Sequence, residues 1–301
     1  MEVIANYKCV TGEGPIWHSD EKKLYWLDIP AGSIFRYDPF TNAHEKVYTG
    51  PQIGGITIQA DGNLLLFMAK GAVAIWDGKE LHYVIESLEG EENSRFNDVI
   101  AAPNGSVFCG TMSTDKTAGT LYRMDVDGSI RPIVTGIGIS NGLGFTTDCS
   151  WMYYTDSTAR TIYRYRINPK NSEISDRSVF VTTPPNDGIP DGMTVDSENH
   201  VWSARWDGWA LYRYSPEGQQ VEKIEFNTKK VSCPTFAEDP LARDGKKDSF
   251  THMYVTTAGG DNQKENGDQA GALFRLNPKI SGKPEFRSQI CLLYTSDAAD
   301  E

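Results

Sequence analysis

One grammar recurs six times along the chain: a loop, a small or oxygen-bearing residue, a short apolar run, then a turn built from Asp, Asn, Ser or Gly. The openings fall at Glu13, Gly54, Asn97, Asn141, Asp191 and Cys233, spaced 41, 43, 44, 50 and 42 residues apart. Four-stranded propeller blades repeat at roughly 40–50 residues. The first unit shows the pattern in full. It runs Gly14-Pro15-Ile16-Trp17, turns at Ser19-Asp20-Glu21, and continues through Leu24–Asp28, Ser33–Pro39 and Glu45–Tyr48. A second echo, an apolar residue followed by an aromatic and Arg, appears at Ile34-Phe35-Arg36, Leu121-Tyr122-Arg123, Ile162-Tyr163-Arg164, Leu211-Tyr212-Arg213 and Leu273-Phe274-Arg275. These repeats predict an all-β, six-bladed β-propeller with four-stranded blades, in which radial repetition leaves few open sheet edges. The segment Val3 to Cys9 is expected to pair with the last blade, so that the N- and C-terminal segments close the ring. A sandwich or two small β domains would also be all-β, but the echoes span the chain without a linker between halves. The expectation is one domain over residues 1–290 and a tail, 291–301, that continues no blade pattern.

Bulk properties narrow the partners. The net charge is −12 and the pI about 4.9, which argues against nucleic acid and against anionic membranes. The five cysteines, Cys9, Cys109, Cys149, Cys233 and Cys291, are widely spaced with no C-x-x-C. They read as free, mostly buried thiols of a reducing cytoplasm, with no disulfide framework or zinc cluster. Met1 to Val10 has no apolar signal-peptide core, and no run approaches the roughly 18 apolar residues that span a bilayer. Nothing in the sequence specifies an oligomeric state.

In a propeller the innermost strand of each blade lines a central channel. Equivalent positions at the start of those strands therefore meet at one mouth of the channel. That placement brings together Glu13, Asn97, Asn141 and Asp191, whose oxygens are hard ligands suited to Ca²⁺, Mg²⁺ or Mn²⁺. Singly, each has a plainer reading: Asp or Asn before Gly is an ordinary turn residue, and Glu13 between two glycines could be a loop carboxylate. The coincidence of register favours a site, open on the side where Gly54 and Cys233 carry no oxygen. His18, His44, His82, His200 and His252 are scattered and read as surface or turn residues. Arg95 lies two residues before Asn97 and would point the same way along an extended strand. A guanidinium there suits an oxygen-rich substrate; a surface ion pair with Glu91 or Glu92 is the alternative.

At these residues the chain resembles the regucalcin / senescence-marker-protein / gluconolactonase family of sugar lactonases. The matching motifs are Gly12-Glu13-Gly14-Pro15-x-Trp17, Arg95-Phe96-Asn97-Asp98, Gly110-Thr111-Met112, Ser140-Asn141-Gly142-Leu143 and Pro190-Asp191-Gly192-Met193-x-Val195-Asp196. The likeness covers nearly the whole chain, in order, to about Phe286. The resemblance implies one catalytic divalent cation (Ca²⁺, Mg²⁺, Mn²⁺ or Zn²⁺) held by Glu13, Asn141 and Asp191. It also implies substrate contacts from Arg95 and Asn97, and hydrolysis of a five- or six-membered sugar lactone. A carboxylate at such a metal can take a proton from the attacking water and return it to the ring oxygen, which makes Asp191 the candidate general base. Three departures stand out. Residues 113–118 form a short loop where some relatives carry a longer lid with a substrate-contacting Glu. The sixth unit lacks the Gly-Gly after its Phe and has a polar insertion through Ser249. The tail from Cys291 onward matches nothing in the pattern. A phosphotriesterase- or aryl-esterase-like hydrolase on the same site, and a non-catalytic calcium-binding propeller, are the competing functions; a strictosidine-synthase-like condensing enzyme does not need this trio.

Overall fold

The computed structural model describes residues 1–239 and 250–291. Among these, the strands form six four-stranded antiparallel sheets arranged as a six-bladed β-propeller. Blades 1 to 5 open with the inner strands Gly12–His18, Ile53–Ile58, Phe96–Ala101, Ser140–Phe145 and Ile189–Val195, and each blade is continuous in sequence. Blade 6 consists of Lys230–Ala237, His252–Ala258 and Ala272–Leu276, with Glu2–Asn6 as its outermost strand. The predicted closure of the ring is therefore present. Glu2 lies opposite Arg275 and Val3 opposite Phe274, and Arg275 donates to Glu2 at 2.6 Å. The polar insertion expected in the sixth unit falls mostly on 240–249, and the tail almost entirely on 292–301, both outside the described residues.

Burial falls from axis to rim. Inner strands such as Ser140–Phe145 are buried at every position, whereas the outer strand Ala43–Thr49 is exposed along most of its length. The second strand of blade 2, Leu64–Met68, is apolar throughout. Alternate side chains of a strand face opposite ways, and here both faces meet a neighbouring blade. Leu64, Leu66 and Met68 pack toward blade 1, and Leu65 and Phe67 toward blade 3. Each fully buried Leu or Phe contributes roughly 1.5–3 kcal/mol, so the seams between blades hold the ring together.

Two further features position the site. Every inner strand shifts its pairing register near its start: between Glu13 and Ile16, Ile53 and Gly55, Phe96 and Val99, Asn141 and Leu143, Pro190 and Met193, and Val231 and Cys233. Such a β-bulge turns two successive residues toward one side and re-aims the strand. The second feature is the segment after Leu276, which crosses the far mouth of the channel. Gly282 N–H donates to Phe250 O, Ser288 N–H to Ile58 O and Gln289 N–H to Gly105 O. Gln59 and Ile290 exchange two hydrogen bonds, at 2.8 and 3.2 Å.

Cys9, Cys109 and Cys233 are buried free thiols, as expected, while Cys291 is exposed. His18 departs from the surface reading: it is 2% exposed, and its Nε2 meets Gly62 O at 2.9 Å. No helix among the described residues is long and apolar enough to cross a membrane.

Candidate active site

The bulged starts of four inner strands meet at a cavity of about 320 Å³. Glu13 comes from blade 1, Asn97 from blade 3, Asn141 from blade 4 and Asp191 from blade 5, and all four line it with Arg95. The wall is completed by Thr11, Met112, Ile139, Ser157, Ile189 and Trp206. Among the described residues, blades 2 and 6 contribute nothing to this lining. Glu13, Asn97, Asn141 and Asp191 are 3–6% exposed.

One slot of the ring needs correction. Counting along the inner strands, Trp17, Phe145, Val195 and Phe236 occupy equivalent positions, so the partner of Glu13 in blade 6 is Ser232, not Cys233. The Ser232 hydroxyl does not reach the cavity; it donates to Gly12 O at 2.6 Å. Cys233 belongs to the next tier down the channel, with Gly14, Gly55, Asp98, Gly142 and Gly192. That tier opens onto a smaller space of about 70 Å³ lined by Gly14, Gly55, Asp98 and Cys233, with Glu285 and Phe286 of the crossing segment. Gly192 explains why this tier is small. A Cβ there would lie 2.5 Å from Cys233 Sγ and 2.8 Å from Ser232 O.

Arg95 lies just ahead of its strand, and its Nη1 donates to Asn97 Oδ1 at 2.6 Å and to Phe96 O at 2.9 Å. Among the described residues the alternative ion pair with Glu91 or Glu92 is not formed; Glu92 accepts from Gly90 N–H at 3.0 Å. Glu91 is buried and accepts from Thr111 Oγ1 at 3.0 Å and the Tyr122 hydroxyl at 2.8 Å.

Electrostatically the site is short of positive charge. Burial holds the Glu13 carboxyl well above the usual carboxylate range, and the charges of Asp191 and Asp98 add to this; the Gly14 N–H and Arg95 act the other way. Asp191 is raised by burial and by Asp98, with Asn141, Arg95 and Arg205 opposing. Asp98 is pushed up to about 7 by burial, against Arg95 and the Gly142 N–H. Among the described residues no Lys, Arg or His comes within ion-pair distance of these three carboxylates. Buried carboxylates without a paired cation are costly. Two of them beside an amide oxygen form a hard donor set that fits a divalent cation. Among the described residues no three His, Cys, Asp or Glu side chains group as a metal site; the set of Glu13, Asn141 and Asp191 has two carboxylates and an amide.

Sequence reasoning passed over Asp98, Ser157 and Trp206. Asp98 follows Asn97 directly, and only the bulge lets both face the axis. Ser157 and Trp206 stand at or just past the ends of second strands and carry no signature of their own.

The fold is a six-bladed β-propeller with its candidate site at one mouth of the channel. The family model described as SMP-30/Gluconolactonase/LRE-like region matches residues 11–258, and the chain belongs to this family. The chain is 45% identical over 299 residues to Pentonolactonase XacC of Haloferax volcanii, covering 96% of this chain and 98% of that one. It is 28% identical over 244 residues to 6-deoxy-6-sulfogluconolactonase of Pseudomonas putida, covering 80% and 84%. Among solved structures, regucalcin of Agrobacterium tumefaciens, described as a calcium-binding protein, superposes with a TM-score of 0.84 at 22% identity over 96% of this chain and 97% of that one.

Proposed function

We propose that this chain, a lactone hydrolase of the family, opens the ring of sugar aldonolactones with the help of one divalent cation held by Glu13, Asn141 and Asp191. The observation that carries the reading is the convergence, in one cavity beside a guanidinium, of an amide oxygen and two buried carboxylates with no ion-paired cation among the described residues. A relative 45% identical that is named a pentonolactonase supports a small sugar lactone as the substrate.

Bound there, a divalent cation supplies Lewis-acid polarisation of a carbonyl oxygen. The remaining work belongs to side chains. Asp191 accepts a proton from the attacking water as its oxygen bonds to the lactone carbonyl carbon. Asp191 then returns the proton to the ring oxygen as the ester C–O bond breaks, giving the open hydroxy acid. Arg95, with one amino group committed to Asn97 and Phe96, presents the rest of its fork to substrate hydroxyls. Asn97 has both amide hydrogens engaged, by Ser140 O and Asn141 Oδ1, so it offers substrate only a remaining lone pair of Oδ1. The apolar stretch Met112, Ile139, Ile189 and Trp206 covers the carbon skeleton and limits water. Residues 1–290 act as one domain on this reading, because Ile290 is hydrogen-bonded into blade 2.

The test is acid release from gluconolactone, xylonolactone, arabinolactone and galactonolactone by chelated protein, before and after adding Ca²⁺, Mg²⁺, Mn²⁺ or Zn²⁺, with paraoxon and phenyl acetate alongside. Metal-dependent opening of at least one sugar lactone is expected. Hydrolysis of only the phosphotriester or aryl ester, or no metal-dependent opening at all, overturns the proposal.

A further inference from the structure

A line of hydrogen bonds crosses blades 3, 4 and 5 along the cavity wall. Arg95 Nη1 donates to Asn97 Oδ1 at 2.6 Å. Asn97 Nδ2 donates to Asn141 Oδ1 at 3.1 Å and to Ser140 O at 2.8 Å. Asn141 Nδ2 donates to Ser157 Oγ at 2.9 Å, and Ser157 Oγ donates to Pro190 O at 2.5 Å.

The direction of the line is dictated by its ends. A guanidinium has donors and no acceptor, so Asn97 must turn its oxygen toward Arg95 and its NH₂ toward Asn141. Asn141 must then meet that NH₂ with its own oxygen. At the other end a backbone carbonyl only accepts, so Ser157 directs its proton to Pro190 and its lone pair to Asn141 Nδ2. An amide's two ends are similar in size, and a reversed Asn141 would turn its NH₂ into the cavity. Two N–H donors cannot ligate a cation. Ser157 is 3% exposed and Asn141 5%, so the hydroxyl and the amide meet almost wholly shielded by protein. Pro190 immediately precedes Asp191, and the same hydroxyl therefore ties the amide to the strand that carries the second carboxylate.

We propose that Ser157 is a positioning residue: Asn97 dictates which end of Asn141 is the oxygen, and the Ser157 hydroxyl anchors the NH₂ end and so holds that oxygen in register with Asp191. This rests on the metal reading above. Groups that orient a ligand in this way typically account for about 10–100-fold in metal affinity.

The test is calorimetric titration of the full chain with Mn²⁺ for wild type, Ser157→Ala and Ser157→Thr, with melting of each metal-free protein as the control. Ser157→Ala should bind Mn²⁺ about 10–100-fold more weakly while its metal-free melting temperature stays near that of wild type. Ser157→Thr, which keeps the hydroxyl, should restore most of the affinity. At saturating Mn²⁺ the Ala variant should recover most of its kcat. Ser157→Ala binding as tightly as wild type, or Ser157→Thr binding as weakly as Ser157→Ala, overturns the proposal. A fall in affinity that merely tracks a fall in metal-free stability overturns it too. Wild type that takes up none of Mn²⁺, Ca²⁺, Mg²⁺ or Zn²⁺ overturns the metal reading itself and this inference with it, and a flat wild-type titration sets that case apart.

Discussion

Glu13 and Asp191 are carboxyls whose folded-state affinity for protons is raised, chiefly by burial. A raised carboxyl means the metal-free folded chain keeps a proton that the unfolded chain has released. Its stability therefore declines as pH rises from the ordinary carboxylate range near about 4 toward the raised values. A cation must displace those protons, so its binding should strengthen with pH and release protons. The expected outcome is a larger rise in melting temperature on adding Mn²⁺ at about pH 8 than at about pH 5, read from paired thermal melts. Equal shifts at both values would remove the carboxylates from the site. Replacing Asp191 by Asn keeps the volume and takes away the base. Lactone opening at saturating metal should fall about 10²–10⁴-fold, with weaker Mn²⁺ binding, and wild-type turnover in that variant would rule out Asp191 as the base.

At the scale of the strand, the bulge is what converts repeated sequence into a site. Four of the converging residues, Glu13, Asn97, Asn141 and Asp191, were legible because the blade repeat marks the start of each inner strand. What was not legible follows from the same bulge. Period-two alternation sends Asp98 to the face opposite Asn97, and a one-residue slip exchanges Ser232 for Cys233. Asp98 is not visible without the register shift, whereas Ser232 emerges once the inner strands are aligned on Trp17, Phe145, Val195 and Phe236. Ser157 was hidden because its role depends on a contact between blades, with Pro190 of the next one. Gly192 tests the strand directly. Gly192→Ala places a methyl 2.5 Å from Cys233 Sγ, and the overpacking should cost about 1–3 kcal/mol of stability together with activity, because the displaced residue adjoins Asp191. Combining it with Cys233→Gly should recover part of the loss, read as a non-additive double-variant cycle by denaturant unfolding. Strict additivity would show that the two strands do not meet there.

For the whole molecule, closure depends on a strand drawn from the opposite end of the chain. Removing residues 1–6 would leave Ala272–Leu276 as an open, largely apolar edge, which invites pairing between molecules. Such a variant should melt at lower temperature and form aggregates, measured by scanning calorimetry and light scattering. An unchanged melt would assign the closure little weight. The segment that crosses the far mouth carries a consequence for the order of events. Glu285 and Phe286 lie beneath the channel, so on the proposed reading ion, substrate and product would share one doorway. Glu13, Asn141 and Asp191 line the cavity, and a substrate filling it would hinder the exit of a cation held by them. An occupied enzyme should therefore lose activity to a chelator more slowly than an idle one, and a slowly opened lactone should act as a lock on the ion.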